Sequence, residues 1–489
     1  MLKELKSFKD FDLSPAKLKK LGFFYFKKFG NQYLLTNDGG DYLFLKESDF
    51  IKFLNDKLDK NKKPYLILHE KNFVNCNYCF ANLAKKYRSK HEFLNGGPSL
   101  HIIVVTLRCN HQCLYCHASA QSVAKKELDM TPTTAKKVLE MIFRTTSPFI
   151  AIEFQGGEPL INWPVVKLII EEAHQINKAA KKDLEIRLVS NFTLMTNERF
   201  KYLLEEKVSL CLSLDGPEGL HNKNRPMSGG GSSYSSIVKW VKRFNKIYPQ
   251  LKKTGYIYRI AGIVTVSKFS LPFYKEIVDE YIKLGFDSFY LRPLNPFGFT
   301  LKNWGEIGYS DGEYINFYKK LLDYIIRLNL KGRKFKEKTA VTFLTKILTE
   351  EDPNHLDYRS PCGAGIGQLA YNYNGNVYTC DEGRMLSMME DENFKLGSVY
   401  ENGYKEIITS PVVRTMCTAS CLDGLAGCSD CVFKPYCGVC PIYNYSRQGN
   451  IFGQMPTNGR CKINKAIFEY LFEKLGDKKT EKILKEWVK

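Results

Sequence analysis

"HIIVVTLRCNHQCLYCHASA", residues 101–120, runs from an unbroken apolar stretch into three cysteines, Cys109, Cys113 and Cys116, spaced C-x3-C-x2-C. A short apolar run of that kind predicts a buried strand. Five more follow: "FIAIEFQ" (149–155), "LEIRLVS" (184–190), "VSLCLSL" (208–214), "YRIAGIVTV" (258–266) and "FDSFYLR" (286–292). Amphipathic stretches beginning near Thr131, Trp163, Thr196, Ser235 and Pro272 separate them. Six strand–helix repeats with right-handed crossovers predict an α/β fold on a parallel sheet, either curled into a barrel or doubly wound. The "SGGGSSYSS" at 228–236 has the composition of a linker, but inside one repeat it reads as a loop leading to a helix N-cap.

The distinctive residues all follow strands. The cysteine string follows the first, "GGEP" (156–159) the second, "SN" (190–191) the third, "DGP" (215–217) the fourth and "RPLNPFG" (292–298) the sixth. Active sites of parallel sheets and barrels form at the carboxyl ends of the strands. Each loop alone reads as turn chemistry; together they predict one site on one rim.

Around this core, residues 1–95 alternate short strand-like stretches with "ESDFIKFLNDKL", an amphipathic segment, predicting a small α+β module. "NCNYCF" holds Cys76 and Cys79 there without a second pair nearby, and we read these as non-ligand cysteines. Residues 301–354 carry helical periodicity, 355–465 are cysteine-rich, and 466–489 close in amphipathic helices. The N-terminal "MLKELKSFKDFDLSPAKLKK" has no apolar signal core, and no apolar run is long enough to span a membrane, so a cytoplasmic protein is expected. The net charge of +20 suits nucleic acid, acidic peptide or anionic lipid, yet the lysines are spread along the 489 residues and single out none of them. Fifteen cysteines clustered in a reducing compartment point to metal or iron–sulfur ligation rather than disulfides.

Three thiolates leave one position of a four-ligand site open. In a [4Fe–4S] cube, Cys109, Cys113 and Cys116 would hold three irons and leave the fourth for a ligand bearing an amine and a carboxylate. The competing reading is a zinc knuckle completed by His111 or His117, which leaves the other rim motifs unexplained.

At this point the sequence resembles the radical S-adenosylmethionine (SAM) superfamily: the C-x3-C-x2-C string after the first strand, Tyr115 before its last cysteine, and "GGEP" one strand later. The resemblance implies a partial (β/α)6 TIM-like barrel over 96–300. It also implies a cofactor site of Tyr115, Gln155, Gly156, Gly157, Glu158, Pro159, Ser190, Asn191 and Arg225, with Glu158 near the methionine ammonium. The downstream cysteines are similar to the SPASM extension of peptide-modifying radical enzymes. That implies two auxiliary [4Fe–4S] clusters, one on Cys362, Cys380 and Cys440, the other on Cys428, Cys431, Cys437 and Cys461. The Cys437–Cys440 gap is one residue short of that pattern, and the relatives' additional cysteine would fall near Gln368. Either Cys417 or Cys421 completes the first auxiliary cluster, or its iron is open to substrate. Asp381 matches a base of the related sulfatase maturases.

The strings "YLLTNDGGDYLFL", "QGGEPLINW" and "CGAGIGQLAYNYNGNVYTCDEGRML" most resemble the His-Xaa-Ser system radical SAM maturases (HxsB-type). This implies a precursor-peptide substrate, a His-Xaa-Ser repeat protein, and an electron donor such as flavodoxin or ferredoxin. The N-terminal module is expected to grip the peptide, and a side-chain cross-link is the expected product. Sulfatase-type oxidation, epimerisation, RNA modification and a non-catalytic zinc adaptor are the competing readings.

Overall fold

A computed structural model describes residues 20–75, 79–353 and 355–489. Cys76 lies outside them, and Cys79 opens a helix, Cys79–Lys90, without a described side chain, so the reading of that pair rests on sequence alone.

The first strands, β1 (Tyr25–Phe29), β2 (Gln32–Thr36) and β3 (Tyr42–Lys46), form an antiparallel sheet in chain order. Helices Glu47–Leu54 and Lys63–Glu70 cover it, burying Leu35, Leu45, Phe50, Phe53 and Leu68 together. Tyr33 stacks on Phe50 with ring centroids 4.3 Å apart.

The six predicted strands are β4 (Leu100–Val104), β5 (Phe149–Gln155), β6 (Asp183–Ser190), β7 (Ser209–Ser213), β8 (Ala261–Thr265) and β9 (Ser288–Arg292). They pair in sequence order, all parallel. The connecting helices start where capping residues allow. The side chains of Thr131, Thr196 and Ser232 each accept a backbone N–H of the first turn that follows, supplying an otherwise unpaired donor with its acceptor. Ser232 ends the glycine-rich loop in this way.

Four further strands extend the same sheet. β10 (Lys336–Glu337) joins β9 in parallel, β11 (Gln368–Tyr371) joins β4 in parallel, and β12 (Asn376–Tyr378) and β13 (Lys395–Ser398) continue antiparallel. The cysteine-rich region is therefore built onto the β4 edge of the core.

Successive strand residues face opposite sides, and the two sides differ. Ile103, Ile152, Phe154, Ile186, Leu188, Leu210, Leu212, Val264 and Leu291 join one apolar cluster with residues of the surrounding helices. The other side carries Glu153, Gln155, Glu185, Arg187, Cys211, Tyr290 and Arg292 at intermediate or full exposure. Arg187 is paired in register with Glu153 and donates from Nη2 to Glu185 at 2.6 Å. A polar lumen thus runs up the inside of the sheet to the rim.

The N-terminal sheet rests on the far end of the chain. Tyr42 and Phe44 meet Phe472 edge-on, Thr36 Oγ1 donates to Val432 O at 2.6 Å, and Tyr436 OH donates to Gly40 O at 3.1 Å. Among the described residues no helix is long and apolar enough to cross a membrane.

Candidate functional site

Residues 109–120 leave the carboxyl end of β4 and fold across the rim. Cys109 N donates to Gln121 O (2.9 Å), Gln112 N to Pro226 O (2.8 Å) and Leu114 N to Asn224 O (3.0 Å). Arg108 anchors the departure through Nε to Asp129 Oδ1 (2.8 Å) and Nη1 to Val123 O (2.8 Å). Each thiol is offered donors: His111 N lies 3.4 Å from Cys109 Sγ, Ala120 N 3.4 Å from Cys116 Sγ, and Arg225 Nη1 4.0 Å from Cys113 Sγ. Burial pushes all three thiols up, Cys113 to about 12 and Cys109 well above its ordinary value. Desolvated thiols deprotonate when a metal takes the proton's place, while the N–H donors stabilise the resulting thiolates. This donor set fits an iron–sulfur cluster.

The "GGEP" loop is stapled to that string. Gly157 N donates to Thr106 O (3.0 Å) and Glu158 N to Arg108 O (2.8 Å). A Cβ at Gly157 would lie 2.2 Å from Arg108 O, and Gly156 has φ +116°. Only glycine permits both the approach and the turn. Pro159 starts the short helix Pro159–Asn162 and is buried. Glu158, expected beside an ammonium, has both oxygens engaged within the protein. Oε1 accepts from Leu160 N (3.1 Å) and Ser190 Oγ (2.8 Å), and Oε2 from Asn191 N (2.8 Å). It ties the second rim loop to the third, and burial raises its carboxyl pKa against those hydrogen bonds. Asn191 Nδ2 in turn reaches Asn110 Oδ1 at 3.0 Å and lies 4.0 Å from Cys109 Sγ. Gln155 ends β5 on the lumen side, its amide donating to Glu153.

Sequence reasoning noticed "DGP" as a loop but missed what Asp215 does. Fully buried, it accepts from Tyr115 OH, from Arg225 Nε (3.2 Å) and from Thr265 N (3.2 Å). Arg225 lies over the Tyr115 ring, 5.2 Å from its centroid. Asp215 thereby positions both expected cofactor residues, one on the cysteine string and one after the fourth strand. His117, offered as a zinc ligand, accepts Asn295 N at 3.2 Å through Nε2.

The second cysteine region forms two groups. Cys362, Cys380 and Cys440 share a buried cluster with Phe297, Met416 and Ile442. Tyr443 N lies 3.3 Å from Cys440 Sγ, and the amides of Ala364 and Gly383 serve Cys362 and Cys380. Cys428, Cys431, Cys437 and Cys461 line one cavity, with Cys440, Arg460 and Lys465 also on its wall. Cys417 sits in helix Pro411–Ser420 near Cys421, and Cys421 Sγ lies 3.9 Å from Asp423 Oδ2. Among the described residues no three His, Cys, Asp or Glu side chains gather as a single metal ion requires; the irons of one cube keep their thiolates further apart.

Helix Asp381–Ser387 connects the two regions. Asp381 is buried and accepts from Arg384 Nε at 2.7 Å, while the charge of Arg384 reaches Cys116. Next to it Glu382 acts electrostatically on Cys362, Cys380 and Cys440, and burial followed by Asp381 and Asp357 raises its carboxyl pKa. No periodicity singles out Glu382 from sequence.

Residues 103–260 match the family model "Radical SAM superfamily", and residues 362–441 match that of an iron–sulfur cluster-binding domain, SPASM. The chain is 24% identical over 381 residues to a cysteine-type anaerobic sulfatase-maturating enzyme of Clostridium perfringens, covering 75% of this chain and 94% of that protein. The solved structure of native anSMEcpe with bound AdoMet aligns with a TM-score of 0.64 at 19% identity, covering 78% of this chain and 100% of that one. Streptococcus suis SuiB bound to precursor peptide SuiA aligns at 0.52 and 12% identity, covering 89% and 98%.

Proposed function

Starting from a radical SAM enzyme that carries a SPASM iron–sulfur domain, we propose that this chain is a maturase installing a side-chain cross-link on a ribosomally made precursor peptide, as in the His-Xaa-Ser system. One observation carries the reading. The polar face of the sheet rises to the Cys109–Cys116 rim, and the charges of Arg384, in the helix that follows Cys380, and of Arg292, at the end of β9, act on Cys116 and on Glu382 respectively, which supports one site facing both cysteine groups.

When bound, SAM with a reduced [4Fe–4S] cluster would supply hydrogen-atom abstraction, and an auxiliary cluster would supply an acceptor for the surplus electron. The chain's own residues do the rest. Cys109, Cys113 and Cys116 hold the first cluster on the rim. Gly156, Gly157, Pro159 and Gln155 shape the cofactor wall, which Glu158 fixes by holding Ser190 and Asn191. Asp215 orients Tyr115 and Arg225 toward the same space. Asp381, steadied by Arg384 at Oδ1, leaves Oδ2 as the atom that takes up a proton. The two auxiliary clusters take Cys362, Cys380 and Cys440, and Cys428, Cys431, Cys437 and Cys461.

The peptide grip is assigned to the N-terminal sheet. Among the described residues β1 pairs only with β2, leaving its other edge for an added strand. Phe23 and Phe26 stand exposed beside that edge. SuiB, whose solved complex holds a precursor peptide, supports a substrate of this class.

The test is co-expression with the short peptide encoded beside the enzyme, followed by mass measurement. Loss of a hydrogen pair mapped to two joined residues is the expected result. The same loss confined to a single Cys or Ser would instead support sulfatase-type oxidation, the second reading favoured by the sulfatase-maturating relative. Salt-sensitive tRNA binding with an unmodified peptide would move the assignment to RNA. Replacing Cys109, Cys113 and Cys116 by Ala should abolish every modification.

A further inference from the structure

Three buried cysteines, Cys362, Cys380 and Cys440, are one short of a cube's four irons, and the region's two other cysteines lie outside their buried cluster, Cys421 against Asp423 and Cys417 near Cys421. We propose that the side-chain carboxamide oxygen of Gln368 is the fourth ligand of this cluster. The inference rests on the reading above that these three cysteines hold one.

Gln368 opens β11 with no exposed surface, yet neither Oε1 nor Nε2 has a hydrogen-bond partner among the described residues. A buried carboxamide left unsatisfied is costly and rare in native proteins. Its position explains what it is for. Strands β11 and β12 pair Ala370 with Tyr378 and Tyr371 with Val377. Beyond that pairing the ladder gives way to Gly365, whose backbone N lies 3.0 Å from Gln368 O and 2.8 Å from Thr379 O, next to Cys380. On the same side Gln368 N donates to Gly363 O at 3.0 Å, immediately after Cys362. The amide is therefore held between two of the three cysteines by its own backbone.

The donor chemistry agrees. Three thiolates already place negative charge in a site with little water, so a neutral oxygen adds a ligand without adding charge. The amide nitrogen can donate to a cluster sulfide at the same time, which uses both unsatisfied atoms. Glu382 is the competing ligand, because its charge also reaches all three cysteines. It would bring a fourth negative charge beside three thiolates, which the neutral carboxamide does not.

The experiment uses the full chain with Cys109, Cys113 and Cys116 replaced by Ala, reconstituted anaerobically so that only auxiliary clusters contribute. Iron is counted, and iron loss under mild oxidation is followed by the EPR signal of the three-iron product. With Gln368 intact, about eight irons per chain are expected for two cubes. Gln368→Ala should release one iron at least about tenfold faster, the scale of losing a metal-site interaction. Gln368→Cys should release it more slowly than the parent, and this second variant decides the matter if the alanine chain fails to load. Equal rates for parent and Gln368→Ala, faster loss only in Glu382→Gln, or no slowing in Gln368→Cys would each overturn the ligand assignment. About four irons in the parent, unchanged by Cys362→Ala, would instead mean that Cys362, Cys380 and Cys440 hold no cluster, which fails the underlying reading and is distinguishable by the count.

Discussion

Two single residues carry the geometry of the rim. At Gly157 a methyl group would sit 2.2 Å from the Arg108 carbonyl, on backbone that two hydrogen bonds already hold. Gly157→Ala must therefore separate "GGEP" from the cysteine string. We expect the reconstituted protein to fall short by about four irons, the content of one cube, with the auxiliary clusters retained; a full count would show that the string does not depend on the staple. At Asp215 the expected effect is on stability. Asp215→Ala strands the buried Arg225 guanidinium, a loss of about 3–5 kcal/mol. Asp215→Asn keeps an acceptor for Tyr115 and should lower the thermal midpoint less. The glycines were legible because a turn and a close approach leave one residue type. Asp215 was not, because its partners Tyr115 and Arg225 come from two other loops, and nothing local in "DGP" names them.

Among elements, the junction between helix Cys79–Lys90 and helix Lys338–Leu348 makes a prediction with a pH sign. Lys90 is buried, and its Nζ donates to Lys346 O (2.8 Å) and Thr349 O (3.4 Å), the carbonyl end of the second helix. Burial, and then the neighbouring Lys346, lower its pKa to about 8 from an ordinary 10.5. Between those values the unfolded chain binds more protons than the folded one, so stability rises with pH through that window and is lost as pH falls through 8. The advantage of the wild-type chain over Lys90→Met should grow by on the order of 1–3 kcal/mol between pH 7.5 and 10; thermal midpoints of the two proteins across that range check it. The strands were legible because apolar runs and turn residues are local signals, whereas their sequential order followed only from the family resemblance. The placement of β11 beside β4 was not. That pairing joins residues far apart in the chain, and "GQLAYNYNG" has the look of an isolated hairpin strand. The attachment of the N-terminal sheet to Phe472 and Val432 was hidden for the same reason.

At the scale of the whole molecule, the sheet gathers the rim loops, the auxiliary cysteines and a polar lumen around one space, and Arg292 stands in it. It ends β9 exposed, its carbonyl accepting from Val266 N (2.9 Å) and its guanidinium free of hydrogen bonds and salt bridges among the described residues. Its charge is felt by His117 beside the first cysteine group, by Cys211 within the lumen, and by His355 and Glu382 on the auxiliary side. The strand pattern shows this residue pointing inward only once the outer face is known, since the flanking Leu291 and Pro293 disguise the alternation. On the proposed peptide substrate, its guanidinium fork would donate to a carbonyl or carboxylate and orient the bound chain. A hydrogen bond from a charged donor contributes about 1.5–3 kcal/mol. Arg292→Ala should accordingly raise KM for the precursor peptide roughly ten- to hundredfold while changing kcat far less, because the bond is made equally in the ground and transition states. Arg292→Lys should recover part of the loss, since it restores the charge without the planar fork. A fall in kcat at unchanged KM would place Arg292 in the chemistry rather than in peptide binding.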